Sequence, residues 1–212
     1  MTEPEEALVQ LLVFTGALKR LPRQGWLHLG VPDPESVADH TFRVALMTLL
    51  LAQDDPAINA ERALVLALCH DLPEALAGDA TPFDEALADE TVDRDLLFRS
   101  RPAYSERADQ AKRVAEEAAL AQMTAGLTDS LRALIEDAWE EYEAGRTAEA
   151  RLVRQIDKFE ALLQAHEYQA EIPNLRTRSF TLGAREHVRD DRLRRLLRVI
   201  SPRSPEPNDD HG

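Results

Sequence analysis

Apolar residues recur at helical spacing along most of this chain. Leu8, Leu11, Leu12, Thr15 and Leu18 follow Thr2 and Glu5, a pair three apart that predicts a capping box and a first helix. The next stretch, LKRLPRQGWLHLGVPDP, interrupts the period with three prolines and two glycines and predicts an extended connection. Asp33 ahead of Pro34 predicts a second helix carrying VADHTFRVALMTLLLAQ. Asn59 predicts the cap of a third, AERALVLALCHDL, which meets Pro73. A proline inside a regular helix costs about 3 kcal/mol, so a kink or restart is predicted there, then a stop at Gly78. Residues 82–104 have weak periodicity and mixed charge, the pattern of a lid or variable surface segment. Ser105 opens an alanine-rich helix through Met123. Thr128 caps another, whose stripe of Leu131, Leu134, Ile135, Ala138, Trp139 and Tyr142 ends at Gly145. Thr147 starts AEARLVRQIDKFEALLQAHEYQA, and a last helix is predicted around REHVRDDRLRRLLRVI. The closing SPRSPEPNDDHG reads as a disordered tail by composition.

Composition narrows this to one all-α, single-domain helical bundle over residues 1–200, with a tail over 201–212. The chain's 212 residues suit one core, glycine and aromatics are few, and no internal repeat is present. A formal net charge of -14 argues against gripping nucleic-acid polymers, which takes clustered Lys and Arg. It does not exclude a small phosphorylated ligand, because one bound cation or a few arginines invert the field within a cleft. Cys69 is the single cysteine, so disulfides and thiolate clusters are out and a reducing cytoplasm fits. The acidic N-terminus, MTEPEEALVQ, is unlike a signal or transit peptide, and no apolar run approaches membrane-spanning length. The expectation is an unprocessed cytoplasmic protein without a membrane partner.

Three ionisable residues fall where a core residue belongs. His40 lies four after Ser36 and four before Val44, His70 extends the row Ala63, Leu66 and Ala67, and Asp157 follows Val153 by four. Burying such groups without compensation costs several kcal/mol. Each alone is explained by an internal hydrogen bond or an arginine partner. Together with Asp71 they make two imidazoles and two carboxylates, a set suited to a divalent transition ion. Neighbouring His70 and Asp71 diverge by about 100° on a regular helix, so they share an ion only at a helix end or a cleft rim, and Pro73 supplies such an irregularity. Cys69 sits in an apolar run as a small hydrophobe rather than a nucleophile. No GxGxxG, P-loop or GxSxG motif is present.

His40, the pair at 70 and 71, and Asp157 in QIDKFEALLQAHEY resemble the H...HD...D pattern of the HD-domain metal-dependent phosphohydrolases. More narrowly, LKRLPRQGW, PESVADH, LCHDLPEALAGDATP, EEYEAG and DKFEALLQA resemble its 5'-deoxynucleotidase-type branch, over residues 10 to 170 or so. The resemblance implies an HD-type bundle, hydrolysis of deoxyribonucleoside 5'-monophosphates, and metal ligation by His40, His70, Asp71 and Asp157. No histidine lies between 71 and 157, where dinuclear members carry extra ones, so a single divalent ion is expected: Mn, Co, Mg, Fe, Ni or Zn. Family members carry a catalytic glutamate at Glu74 and an active-site acid at Asp79; a solvated glutamate and an N-cap are the plainer explanations. Phosphate needs donors, and Arg23 is preferred over Arg20 as the guanidinium that forks it. Trp26 either walls the substrate site or plugs the core, Ser36 either contacts phosphate or caps its helix, and Lys112 either closes the pocket or forms a solvated pair with Glu116. The remaining histidines, His28, His166, His187 and His211, read as surface or structural. Two alternatives stay open: a deoxynucleoside triphosphohydrolase, disfavoured by the acidic segment after Pro82, and a non-catalytic nucleotide-sensing scaffold. The resemblance also implies a homodimer, with the Trp139 to Tyr142 stripe or the last helices as an interface.

Overall fold

The computed structural model describes residues 3–101 and 103–200, and they fold as helices joined by turns, with one isolated antiparallel bridge between Pro22 and Ser36. In chain order these are α1 (Pro4–Thr15), α2 (Gln24–His28), α3 (Val37–Ala52), α4 (Ala60–Cys69), α5 (Glu74–Ala77), α6 (Asp84–Leu87), α7 (Arg94–Arg99), α8 (Glu106–Thr124), α9 (Asp129–Ala144), α10 (Ala148–Glu171), α11 (Arg178–His187) and α12 (Asp191–Ile200). Helix α10 is the axis: α3, α4, α9, α11 and α12 all pack on it. Its buried face, Val153, Ile156, Phe159 and Leu162, meets Val44 of α3, Leu66 and Ala67 of α4 and Ala138 of α9. Each such large side chain contributes roughly 1.5–3 kcal/mol by leaving water. A second cluster, Ala7, Leu11, Leu18, Val37, Leu72, Met123 and Leu127, joins α1 and α8 to the turn between α4 and α5.

The predicted caps at Asn59, Ser105, Thr128 and Thr147 are all present. Each side chain accepts a backbone N–H near the start of its helix, and Gly145 closes α9 in the left-handed conformation (φ 61°). Pro73 separates α4 from the short α5, and Gly78 ends that turn at φ 86°.

Other expectations are corrected. Thr2 lies outside the described residues; α1 has Glu3 as its N-cap without a side-chain bond, Pro4 at its first position, and Leu8 and Leu12 exposed. The predicted extended connection contains α2, one short helix after the Pro22 bridge. Helix α3 starts at Val37 rather than at Asp33, because Ser36 and Asp39 form a reciprocal capping box that Asp33 cannot offer. On α9 the stripe is buried only from Ala138 onward, and Leu131 and Leu134 are exposed, so Trp139 and Tyr142 are core and not available as an interface. The single helix predicted around residues 185–200 is two. Asp190 accepts the amides of Arg192 and Leu193 and opens α12, while α11 begins upstream at Arg178. The tail, 201–212, lies outside the described residues. No helix among the described residues is long and apolar enough to cross a membrane.

Candidate active site

Three segments bring the four residues read as ligands to one point. His40, on α3, is wholly buried; His70 caps the C-terminal end of α4 with Asp71 next to it; Asp157 rises from the middle of α10. His40 Nε2 lies 3.4 Å from Asp157 Oδ1 and 3.7 Å from Asp71 Oδ2, and His70 Nε2 lies 3.2 Å from the same Asp71 oxygen. None of these approaches is aligned as a hydrogen bond, so both Nε2 atoms are buried without a partner. Such orphaned nitrogens are rare and costly in a finished core. A cation bound between them would satisfy both: His40, His70 and Asp71 lie close enough to share one ion, Asp157 Oδ1 adjoins that group 3.4 Å from His40 Nε2, and imidazole and carboxylate donors suit a divalent transition ion. The residues present fit the metal.

The far side of each imidazole is anchored. His70 Nδ1 donates to Ala67 O at 2.7 Å, and His40 Nδ1 makes a very short bond to Glu160. Carbonyl and carboxylate oxygens only accept, so Nδ1 of each ring carries a proton; burial and Arg23 oppose a charge on His40, yet Glu160 and Asp157 raise its pKa to about 10, so this ring offers an Nε2 lone pair to a cation by giving up its second proton. Tyr142 Oη donates to Asp157 Oδ2 at 3.0 Å, and Lys158 Nζ lies 3.1 Å from that oxygen. Glu35, His40 and Glu160 also lie close enough to share an ion. Arg43 occupies that side instead, with Nε bonded to Glu160 Oε1 at 2.7 Å and Nη2 4.0 Å from Glu35.

Arg23 enters from the loop before α2 and faces three acids: Asp71 at 3.1 Å, Asp79 at 3.4 Å and Glu74 at 3.8 Å. Burial works against its charge, but these carboxylates raise its pKa well above the ordinary value, so it is a fixed cation. Asp79 also accepts the Gln24 amide at 2.7 Å, pinning Gly78 and its turn against α2. Burial alone would raise the Asp71 carboxyl; His70, Arg23 and His40 together hold it well below the carboxylate range. Glu74 goes the other way. Burial, then the charges of Asp71 and Asp79, push it well above its ordinary value despite Arg23 and Lys112, and its Oε2 is buried without a hydrogen-bond partner.

Arg23, Asp71, Glu74, Asp79 and Asp157 line a cavity of about 380 Å³, whereas His40 and His70 are buried and do not line it. Its other walls come from Ala80 to Phe83, Ala103, Tyr104 and Lys112, and from Ser179, Phe180 and His187 of α11. Some expected contacts are therefore corrected. Arg20 is exposed at the end of the turn after α1 and does not reach the cavity. Trp26 borders the cavity but is 1% exposed, stacked on Phe180 with centroids 4.2 Å apart, edge-on to Tyr168, and bonded through Nε1 to Glu35, so its faces are taken. Ser36 is spent on its capping box with Asp39 and lies outside the cavity wall. Lys112 is part-buried and paired with the buried Glu116, on the cavity wall rather than in a solvated pair. His28 pairs with Asp84 at 2.6 Å, and His187 Nδ1 donates to Gly183 O. Sequence reasoning missed Glu160, Arg43, Tyr142 and the α11 wall. The signal for Glu160 was its place three after Asp157, on the face that carries the ligand.

The HD domain family model matches residues 15–195. The 5'-deoxynucleotidase HDDC2 of Xenopus laevis is 37% identical over 164 residues, covering 77% of this chain and 70% of that protein. The human 5'-deoxynucleotidase HDDC2 is 37% identical over 163 residues, covering 77% and 69%. A solved structure from Magnetospirillum magnetotacticum MS-1, described as a predicted metal-dependent phosphohydrolase, superposes with a TM-score of 0.67 at 26% identity, covering 94% of this chain and 92% of that one.

Proposed function

Since the chain belongs to the HD-domain family and is a hydrolase of that family, we propose that it is a metal-dependent phosphomonoesterase converting deoxyribonucleoside 5'-monophosphates to deoxynucleoside and phosphate. The observation that carries this reading is the buried meeting of two unpartnered imidazole Nε2 atoms with Asp71 and Asp157, beside an arginine and a buried glutamate whose Oε2 has no partner. The activity of the HDDC2 relatives supports the substrate class.

His40, His70, Asp71 and Asp157 would hold a divalent cation, which when bound would supply Lewis acidity toward a phosphoryl oxygen and lower the pKa of a neighbouring water. Arg23 binds the phosphate: its charge is fixed, and a guanidinium matches two phosphate oxygens. Asp79 orients Arg23 and the Gln24 amide. Glu74 moves the proton at Oε2 between the attacking water and the departing 5'-oxygen; its raised pKa brings it toward the range where one group both accepts and gives. Tyr142 steadies Asp157, and Trp26 with Phe180 closes the apolar wall. The cavity's volume suits a ligand of nucleotide size, within the roughly 300–1,000 Å³ of small-molecule sites.

The same reading places the enzyme in the cytoplasm as one HD-type domain over residues 1–200 and as a homodimer. Support for the dimer is the apolar surface left on α1 and α3, where Val13, Phe42 and Leu50 are each more than 60% exposed. The test is phosphate release from protein loaded with Mn²⁺, Co²⁺ or Mg²⁺ and offered deoxynucleoside mono- and triphosphates. Inorganic phosphate from monophosphates is expected. Triphosphate released from triphosphates would replace this reading with a triphosphohydrolase, and no turnover by metal-loaded protein would replace it with a nucleotide-sensing scaffold.

A further inference from the structure

The row on α10 that carries Asp157 continues past it. Glu160, Gln164 and Glu167 follow at steps of three, four and three, all toward α3, and Arg43, three after His40, reaches each of them. Arg43 Nε donates to Glu160 Oε1 at 2.7 Å and Nη1 to Glu167 at 2.8 Å, with a short bond to Gln164. Glu160 is 0% exposed. A buried carboxylate is tolerated only when paired and hydrogen-bonded, and here Arg43 takes one oxygen and His40 Nδ1 the other.

The two histidines meet the same requirement differently, and the reason lies in the backbone. His70 sits at the C-terminal end of α4, where carbonyls run out of helical partners, and uses Ala67 O three residues back. His40 lies in the first turn of α3, where carbonyls point along the helix to amides ahead of them and none faces the ring. An acceptor for its Nδ1 must come from another element. We infer that Glu160 is a positioning residue for the metal centre: it holds His40 with the proton on Nδ1 and the Nε2 lone pair directed at the cation site, and Arg43 holds Glu160 in that pose. This rests on the metal-centre reading of the cluster. A carboxylate behind a ligating imidazole both fixes its tautomer and raises its basicity.

Glu160→Gln keeps the shape and splits the two duties. The amide offers one oxygen, so either Arg43 or His40 loses its acceptor, and an amide N–H facing Nδ1 favours the tautomer whose proton blocks Nε2. Competition with a fluorescent chelator for Zn²⁺ and Mn²⁺ should show about a 10–100-fold weaker affinity in E160Q. Glu167→Gln, which breaks only the half-exposed outer pair of Arg43, should bind as the parent does. In the Zn²⁺-loaded parent, long-range ¹H–¹⁵N spectra should show His40 protonated at Nδ1, and this readout needs no variant to fold. Folded E160Q binding cation within twofold of the parent, or a His40 proton on Nε2, overturns the inference while leaving the metal centre standing. A parent that takes up neither cation overturns the metal-centre reading itself, and this inference with it.

Discussion

The two ends of the cavity are built by different means. At the metal end the side chains stand on α3, α10 and the end of α4, long or tightly packed elements, and nearly every polar atom not aimed at the ion is tied down: His70 to Ala67 O, His40 to Glu160, Asp157 to Tyr142, Asp71 to Arg23. At the opposite end the wall is made of residues 80–83, Ala103, Tyr104 and part of α11, beside the segment that carries α6 and α7. Helices α6 and α7 are four and six residues long, too short to hold themselves, and are secured by few ties. Tyr104 Oη donates to Ala80 O at 2.6 Å, Asp84 pairs with His28, Arg94 reaches His28 O, and Phe83 packs edge-on against Phe98. The proposed metal end sits in an over-determined frame, whereas the segment carrying α6 and α7 is held by fewer ties.

If that contrast is right, single substitutions at the two ends differ in size and in kind. The largest effect falls on His70→Ala, which removes a ligand and its orphaned nitrogen together: bound cation by elemental analysis and phosphate release should both drop to background, with the fold retained by circular dichroism. Next, Glu74→Ala should lower kcat by about 10²–10⁴-fold with stoichiometric metal kept; parental kcat would remove Glu74 from the proton path. Glu35, behind the metal end, gives a pH test. Burial, and then Glu160, raise its pKa from 4.5 to about 7. The folded protein therefore keeps a proton that the unfolded chain gives up, and stability through this group falls as pH rises from 4.5 to 7. Glu35→Gln, which still accepts from Trp26, should gain on the order of 2 kcal/mol relative to the parent between pH 4.5 and 8 in metal-free urea titrations. The smallest effect belongs to the far wall: Tyr104→Phe loses one hydrogen bond, about 1 kcal/mol, and should raise KM a few-fold with little change in kcat. A Tyr104→Phe loss concentrated in kcat would erase the distinction between the ends.

The same contrast explains what could be read from the chain alone. Helices α4, α8, α9 and α10 were legible because an oxygen-bearing cap precedes a long apolar period in each. The candidate ligands stand out as charges in a hydrophobic register, His70 at the end of α4, Asp157 on α10 and His40 on α3, and Asp71 follows from its neighbour. Helix α2 was hidden because QGWLH is too short to show a period, and α3 was begun at Asp33 because a proline after an aspartate competes with a Ser36 box closed by Asp39 instead of glutamate. Glu160 was missed because in DKFEALLQ it looks like any solvated helix glutamate; only Arg43, far away in sequence, makes its burial tolerable. For Trp26 and Ser36 the sequence leaves substrate and structural roles both open, because their partners, Phe180 and Asp39, claim them only in three dimensions. The wall at α11 gave no signal, because its histidine, His187, reads in the sequence as an ordinary surface or structural residue.

We propose one divalent ion among His40, His70, Asp71 and Asp157. Anomalous diffraction at the cobalt or manganese edge, from crystals grown with that ion, tests it most directly. A single strong peak within coordination distance of both imidazole Nε2 atoms and both carboxylates is the predicted result. A peak on the Glu35 and Glu160 side of His40, or an ion-free site with the two Nε2 atoms hydrogen-bonded to protein, would contradict it.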